Sequence, residues 1–95
     1  MPAVKTATFN GVVYDVEICG GIVHGTCDYP RAGTRPSLRV MAPANTRAEL
    51  EATVHEGLHA SDWSKDETRI TRIAYEITRL LWRLGYRKLK TNGRG

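Results

Sequence analysis

Cysteine is scarce in this chain, and a long apolar run is missing altogether. The 95 residues include only Cys19 and Cys27, whose spacing matches no metal-binding knuckle. The N-terminal residues lack the apolar segment that a secretory signal requires, so a reducing, cytoplasmic setting with both thiols buried is the default expectation. A disulfide between the two cysteines is disfavoured in that setting. No stretch approaches the roughly 18 apolar residues of a membrane span, which excludes a transmembrane helix.

Acidic residues are outnumbered by basic ones. The chain carries 14 Lys and Arg against 10 Asp and Glu, a net charge of +4. Basic residues become denser toward the C-terminus, at Arg79, Arg83, Arg87, Lys88, Lys90 and Arg94. Weak nucleic-acid contact through this basic C-terminal region is one interpretation, and a solvated surface is another. The length predicts a single domain over residues 1–87, followed by a basic flexible tail, 88–95.

The first half of the domain, residues 4–42, is predicted to be rich in β-strand. The pair Asn10-Gly11 between β-prone runs predicts a hairpin with strands near 5–9 and 12–18. Residues 22–29 form a third candidate strand, which Gly25 interrupts. Prolines and glycine predict a loop over 30–36. The alternation over 37–41 then predicts a half-buried strand.

Two capping boxes predict two helices in the second half. Thr46 with Glu49 starts a helix over about 46–62, and Ser64 with Glu67 starts another over about 65–85. Their short connection predicts an antiparallel hairpin. The second helix carries an apolar stripe expected to pack on the first helix and on the sheet: Ile70, Ile73, Ala74, Ile77, Leu80, Leu81 and Leu84. The predicted fold is therefore α+β, a small antiparallel or mixed sheet of three to four strands packed against a two-helix hairpin.

The first helix contains the motif His-Glu-x-x-His at residues 55–59. Residues four apart lie on one helix face with Cβ atoms roughly 5–6 Å apart, so His55 and His59 can bind one metal ion. Zinc accepts imidazole nitrogen, and a catalytic zinc site has three protein ligands and a water. Glu56 could act as the general base that takes a proton from the activated water. The motif thus predicts zinc-dependent hydrolysis.

The third zinc ligand is predicted to be an acid just after the motif. Glu67 is the first choice, because its long side chain starts near the corner where the first helix ends, although the capping box is a competing role. Asp66 is shorter and is favoured at a helix N-terminus in any case. Asp62 shares the histidine face, and could instead orient an imidazole N–H.

The region from Thr53 to Arg87 resembles the small His-Glu-x-x-His zinc metallopeptidase-like proteins of phages, which are similar to minimal gluzincins. The shared pattern is a strand, Leu38-Arg39-Val40, then a helix reading Val-His-Glu-Gly-Leu-His-Ala over 54–60, then Trp63, Asp66-Glu67 and a second helix ending in Leu-Leu-Trp-Arg-Leu-Gly-Tyr-Arg over 80–87. The resemblance implies a zinc peptidase with ligands His55, His59 and Glu67, with Glu56 as general base. The interval from His59 to Glu67 is shorter than in larger gluzincins.

The resemblance also implies a peptide or protein substrate held by strand addition, with Leu38 to Met41 as the receiving strand. An oxyanion donor is left open among His24, Tyr29, Tyr75 and Tyr86.

Two other functions stay open. One is a small basic module that binds nucleic acid or protein and has a structural or vestigial zinc site, with Trp63, Trp82 and Tyr86 beside the basic residues. The other is dimerisation through the helical hairpin.

Overall fold

The computed structural model describes residues 4–88, which form a small α+β fold of the predicted class. Four strands precede two helices: β1 (Thr6–Phe9), β2 (Val12–Cys19), β3 (His24–Cys27), β4 (Ser37–Met41), α1 (Arg47–Ser61) and α2 (Glu67–Arg83). None of the helices within 4–88 is long and apolar enough to cross a membrane. Apart from Lys88, the predicted basic tail lies outside the described residues.

The sheet is mixed, with strand order β1-β2-β4-β3. β1 and β2 form the predicted hairpin, and its turn residues Asn10 and Gly11 both have positive φ, 49° and 79°, as a two-residue type I′ turn requires. β2 and β4 run parallel, whereas β3 and β4 run antiparallel. In residues 4–88, β3 is therefore an edge strand and β4 is an interior strand.

Alternate residues of the strands build a core on one face of the sheet. Tyr14 of β2, together with Leu38 and Val40 of β4, is buried and packs against Ala60 of α1. The period of two follows from the pleat, which points successive side chains to opposite faces. Since α1 covers only this face, the residues between them, such as Arg39, are exposed on the other face.

At the start of α1, only one of the two hydrogen bonds of the predicted capping box forms. The Thr46 hydroxyl accepts a hydrogen bond from the Glu49 amide at 3.2 Å. The Glu49 carboxylate accepts from the Asn45 amide at 3.0 Å, not from Thr46, and also from the Lys88 ammonium at 2.9 Å. Lys88 is the first residue of the predicted basic tail, and its ammonium gives the buried Glu49 carboxylate a partner of opposite charge.

The predicted capping box at the start of α2 is wrong. Asp66, not Ser64, caps the helix and accepts a hydrogen bond from the Arg69 amide at 2.8 Å. Ser64 precedes the cap by two residues, and its amide donates to the Asp62 carboxylate at 2.9 Å. Glu67 is consequently the first residue of α2, with its carboxylate free of any capping role.

The predicted apolar stripe of α2 is only partly buried. α2 packs on α1 and not on the strands, so it buries one narrow line, Ile70, Ala74 and Thr78. Other members of the stripe stay exposed: Ile77, Leu80 and Leu84. The expectation that the stripe also packs on the sheet is wrong, because α1 is the helix that covers the sheet.

The cysteines also differ from the prediction of two buried thiols. Cys19 is exposed at the end of β2 and Cys27 is half-buried on β3. They are both free, and β4 separates their strands.

Candidate metal centre

The two motif histidines lie side by side on α1, as the helical repeat dictates. Their ring centroids are 5.1 Å apart, and the side chains of His55 and His59 retain only 19% and 16% of their exposure. Both rings direct Nε2 to the same place, beside the start of α2. The helix therefore supplies two imidazole nitrogens to one point at the edge of the core.

Glu67, the first residue of α2, contacts both histidines. One carboxylate oxygen lies 3.0 Å from His55 Nε2 and the other lies 2.7 Å from His59 Nε2. The slight burial of the largely exposed Glu67 carboxylate by itself raises its pKa, but the hydrogen bond from His59 and the charge of both histidines outweigh this effect and lower that pKa. A ligand atom from each of the three residues lies within 4.8 Å of the others. Two imidazoles and a carboxylate are a donor set that catalytic zinc takes, so the residues fit the ion.

The two competing acids have other partners. Asp62 caps the end of α1 and accepts hydrogen bonds from Ser64 and from Lys65, which lower its pKa to about 2. Asp66 accepts from the Arg69 amide as the cap of α2. The structure thus brings Glu67, and neither Asp62 nor Asp66, to the histidine pair.

Glu56 lies between the histidines and the edge strand, where it is 7% exposed. Its carboxyl group packs directly over the backbone of Gly25 on β3. A Cβ atom at residue 25 would stand 2.6 Å from Glu56 Oε2, so only glycine leaves room. Burial raises the pKa of Glu56, while the charges of His55 and His59 oppose the shift. A carboxylate with a raised pKa is a better proton acceptor.

A cleft of about 420 Å³ opens beside these groups. It is lined by Val23 and Gly25 near the edge strand, by Ala48, Glu51, Ala52, His55 and Glu56 of α1, and by Glu67. Since Gly25 belongs to β3, the cleft lies beside a strand that is at the edge of the sheet in residues 4–88. Leu38 to Met41, predicted as the substrate-receiving strand, cannot take that role, because β4 already pairs with β2 on one side and β3 on the other.

No protein-family model, curated protein or solved structure matches this chain. The interpretation of the centre therefore depends on its own geometry.

Trp63 and Tyr14 brace the centre, and sequence reasoning missed this role. The Trp63 indole stacks on the His59 ring at 5.5 Å between centroids, and its N–H donates to the Tyr14 hydroxyl at 3.1 Å. Tyr14 is fully buried, so the core fixes the indole and the indole limits rotation of His59. The spacing of four residues from His59 to Trp63 was the available signal. Nothing in the sequence pointed to Tyr14.

The candidates for an oxyanion donor are scattered. His24 alternates with Gly25 along β3 and therefore points to the opposite face of the sheet, where it lines a separate cleft with Arg39. Tyr29 packs edge-on against Trp63 at 5.4 Å between centroids. Tyr75 lies under Arg47, and Tyr86 follows the end of α2. None of the four lines the cleft beside Glu56.

Proposed function

We propose that this protein is a zinc-dependent peptidase in which His55, His59 and Glu67 hold the ion and Glu56 is the general base. The observation that carries the proposal is the position of the Glu67 carboxylate, 3.0 Å and 2.7 Å from the two Nε2 atoms. Atoms that can coordinate a metal ion converge there from two separate helices, next to a buried carboxylate and an open cleft. The resemblance to minimal gluzincins implies the same residues. The two free thiols favour a cytoplasmic setting.

The chemistry divides between the ion and the chain. Zinc, when bound, supplies a Lewis acid that lowers the pKa of water to about 7 and polarises a carbonyl group. Glu56 accepts the proton of the attacking water and delivers it to the leaving amine. Gly25 keeps the space that this carboxylate needs, and Trp63 holds the His59 ring in its ligating orientation. The burial of Glu56 limits the water molecules around it.

The free edge of β3 suits an extended peptide. An edge strand presents unpaired N–H and C=O groups to which another strand can add. A peptide paired with His24–Cys27 would run past Gly25, whose backbone lies against Glu56. This arrangement would bring a scissile bond of the peptide next to the general base.

The test combines metal analysis with cleavage. Protein loaded with zinc is incubated with a mixed peptide digest, and the products are followed by mass spectrometry. We expect zinc-dependent cleavage that Glu56→Gln abolishes while bound zinc is retained. Glu76→Gln, a matched loss of one exposed carboxylate on α2, should cleave normally. Zinc binding without cleavage of any peptide would overturn the peptidase proposal. Cleavage that persists in Glu56→Gln would overturn the role of Glu56.

A nucleic-acid-binding module is the second candidate, favoured by five exposed arginines along or just after α2: Arg69, Arg72, Arg79, Arg83 and Arg87. Its aromatic component is weaker. Trp82 is covered by the Arg87 guanidinium, 3.3 Å from the ring centroid, and Trp63 is stacked on His59. A salt-sensitive shift of DNA or RNA, without peptide cleavage, would support this candidate.

A further inference from the structure

The cleft beside Glu56 is acidic, although the chain is basic. Three glutamates line it, Glu51, Glu56 and Glu67, and its lining includes no lysine or arginine. The whole chain has a net charge of +4. In the proposed function Glu67 holds the metal and Glu56 moves a proton. Glu51 thus contributes a negative charge that no step of that mechanism uses.

Glu51 is placed to contact a substrate. It precedes His55 by four residues on α1, so the two side chains share a helix face with Cβ atoms roughly 5–6 Å apart. The Glu51 side chain is half-buried and, within residues 4–88, takes part in no ion pair. No lysine, arginine or histidine nitrogen in the described part of the chain therefore lies within ion-pair distance of its carboxylate.

The other residues that line the cleft near Glu51 have short apolar side chains. Ala48 and Ala52 lie on the same part of α1 as Glu51, and Val23 faces the cleft from the segment before β3. The short alanine side chains leave room over the helix. Lysine and arginine side chains combine an apolar stem with a charged end, so the stem can pack on Val23 and the alanines while the end reaches Glu51.

We propose that Glu51 is a specificity-determining residue, which selects peptides with a lysine or arginine side chain close to the scissile bond. The inference depends on the proposed peptidase function, since it assigns that function a substrate class. Complementary charge across such a cleft favours one class of partner over another. Glu51 touches the substrate side chain and not the reacting atoms, so cleavage chemistry as such does not require it.

The test measures binding, so that it does not need turnover. The zinc-loaded Glu56→Gln protein is titrated with two series of fluorescent alanine-glycine octapeptides. One series carries a single lysine at successive positions, and the other carries uncharged norleucine there. We expect the best lysine peptide to bind about two- to fivefold more tightly than its norleucine counterpart at low salt. Adding Glu51→Gln to this variant should make the two peptides bind equally, and 0.5 M NaCl should reduce the preference for lysine.

The control is the added substitution Glu76→Gln, which removes the same charge from an exposed site on α2 and should leave the ratio unchanged. Equal binding of the two series, or a ratio that survives Glu51→Gln, would overturn the role of Glu51 while leaving the peptidase proposal standing. Failure of every peptide to bind would overturn the inference, whereas failure of the peptidase proposal itself would appear as zinc-loaded wild-type protein that cleaves nothing.

Discussion

Replacing Gly25 by alanine tests the close packing between the edge strand β3 and the Glu56 side chain. The added Cβ would lie 2.6 Å from Oε2, 3.0 Å from Cγ and 3.1 Å from Cδ of the Glu56 side chain. Not only the end of the side chain but also its stem has to move. Glu56 is 7% exposed, so this displacement disturbs packed surroundings. Overpacking of this kind costs about 1–3 kcal/mol.

The backbone itself should favour the substitution. Gly25 has no positive φ and lies within β3, where glycine is about 0.5–1 kcal/mol less favourable than alanine. In a Glu56→Ala background the three clashing atoms are gone, so Gly25→Ala should stabilise the folded protein by about 0.5–1 kcal/mol. In the wild-type background it should destabilise. The coupling free energy between the two substitutions should therefore be about 1–3 kcal/mol.

Urea unfolding of the four proteins, with a chelator present, measures this coupling. Gly20→Ala is the matched control, because a Cβ there meets nothing nearer than the Ala42 carbonyl oxygen at 4.0 Å. Its effect should be the same in both backgrounds. Additive effects of Gly25→Ala and Glu56→Ala would refute the reasoning, since they would mean that residue 25 and the Glu56 side chain do not compete for the same space.

Three further predictions address other parts of the chain. Thr78→Val should raise the free energy of unfolding by about 1 kcal/mol, because the buried Thr78 hydroxyl has no hydrogen-bond partner within residues 4–88. A lower free energy of unfolding in urea would contradict this. Glu67→Gln should weaken zinc binding at least about tenfold in calorimetry. It should lower metal-free stability by no more than about 1 kcal/mol, since the contacts of Glu67 with His55 and His59 involve an exposed carboxylate and Asp66 caps α2. Unchanged zinc affinity would remove Glu67 from the centre. Burial, together with the charge of Glu56, raises the pKa of Cys27 to about 12. In the native protein, iodoacetamide should therefore alkylate the exposed Cys19 much faster than Cys27. Equal alkylation rates of the two cysteines by mass spectrometry would refute this.

Local patterns predicted the elements well because each depends on neighbouring residues. The Asn10-Gly11 turn, the alternation around Leu38 and the cap at Thr46 involve contacts within a few positions of the chain. The start of α2 failed for an equally local reason. Ser64 and Asp66 are both good caps, and the interactions of Asp62 with Ser64 and Lys65 decided between them.

The sequence by itself determined that His55 and His59 share one face of α1, with Glu56 beside them, because residues four apart in a helix lie on the same face. Only the tertiary structure decided what surrounds them. Glu67 was one of three acids until the packing of α2 on α1 brought its carboxylate to both imidazoles. Strand order made β3 rather than β4 the free edge, and it brought Gly25 under Glu56 and Tyr14 behind Trp63. The contacts of Gly25 with Glu56 and of Tyr14 with Trp63 join residues far apart in the chain, and no local spacing encodes them.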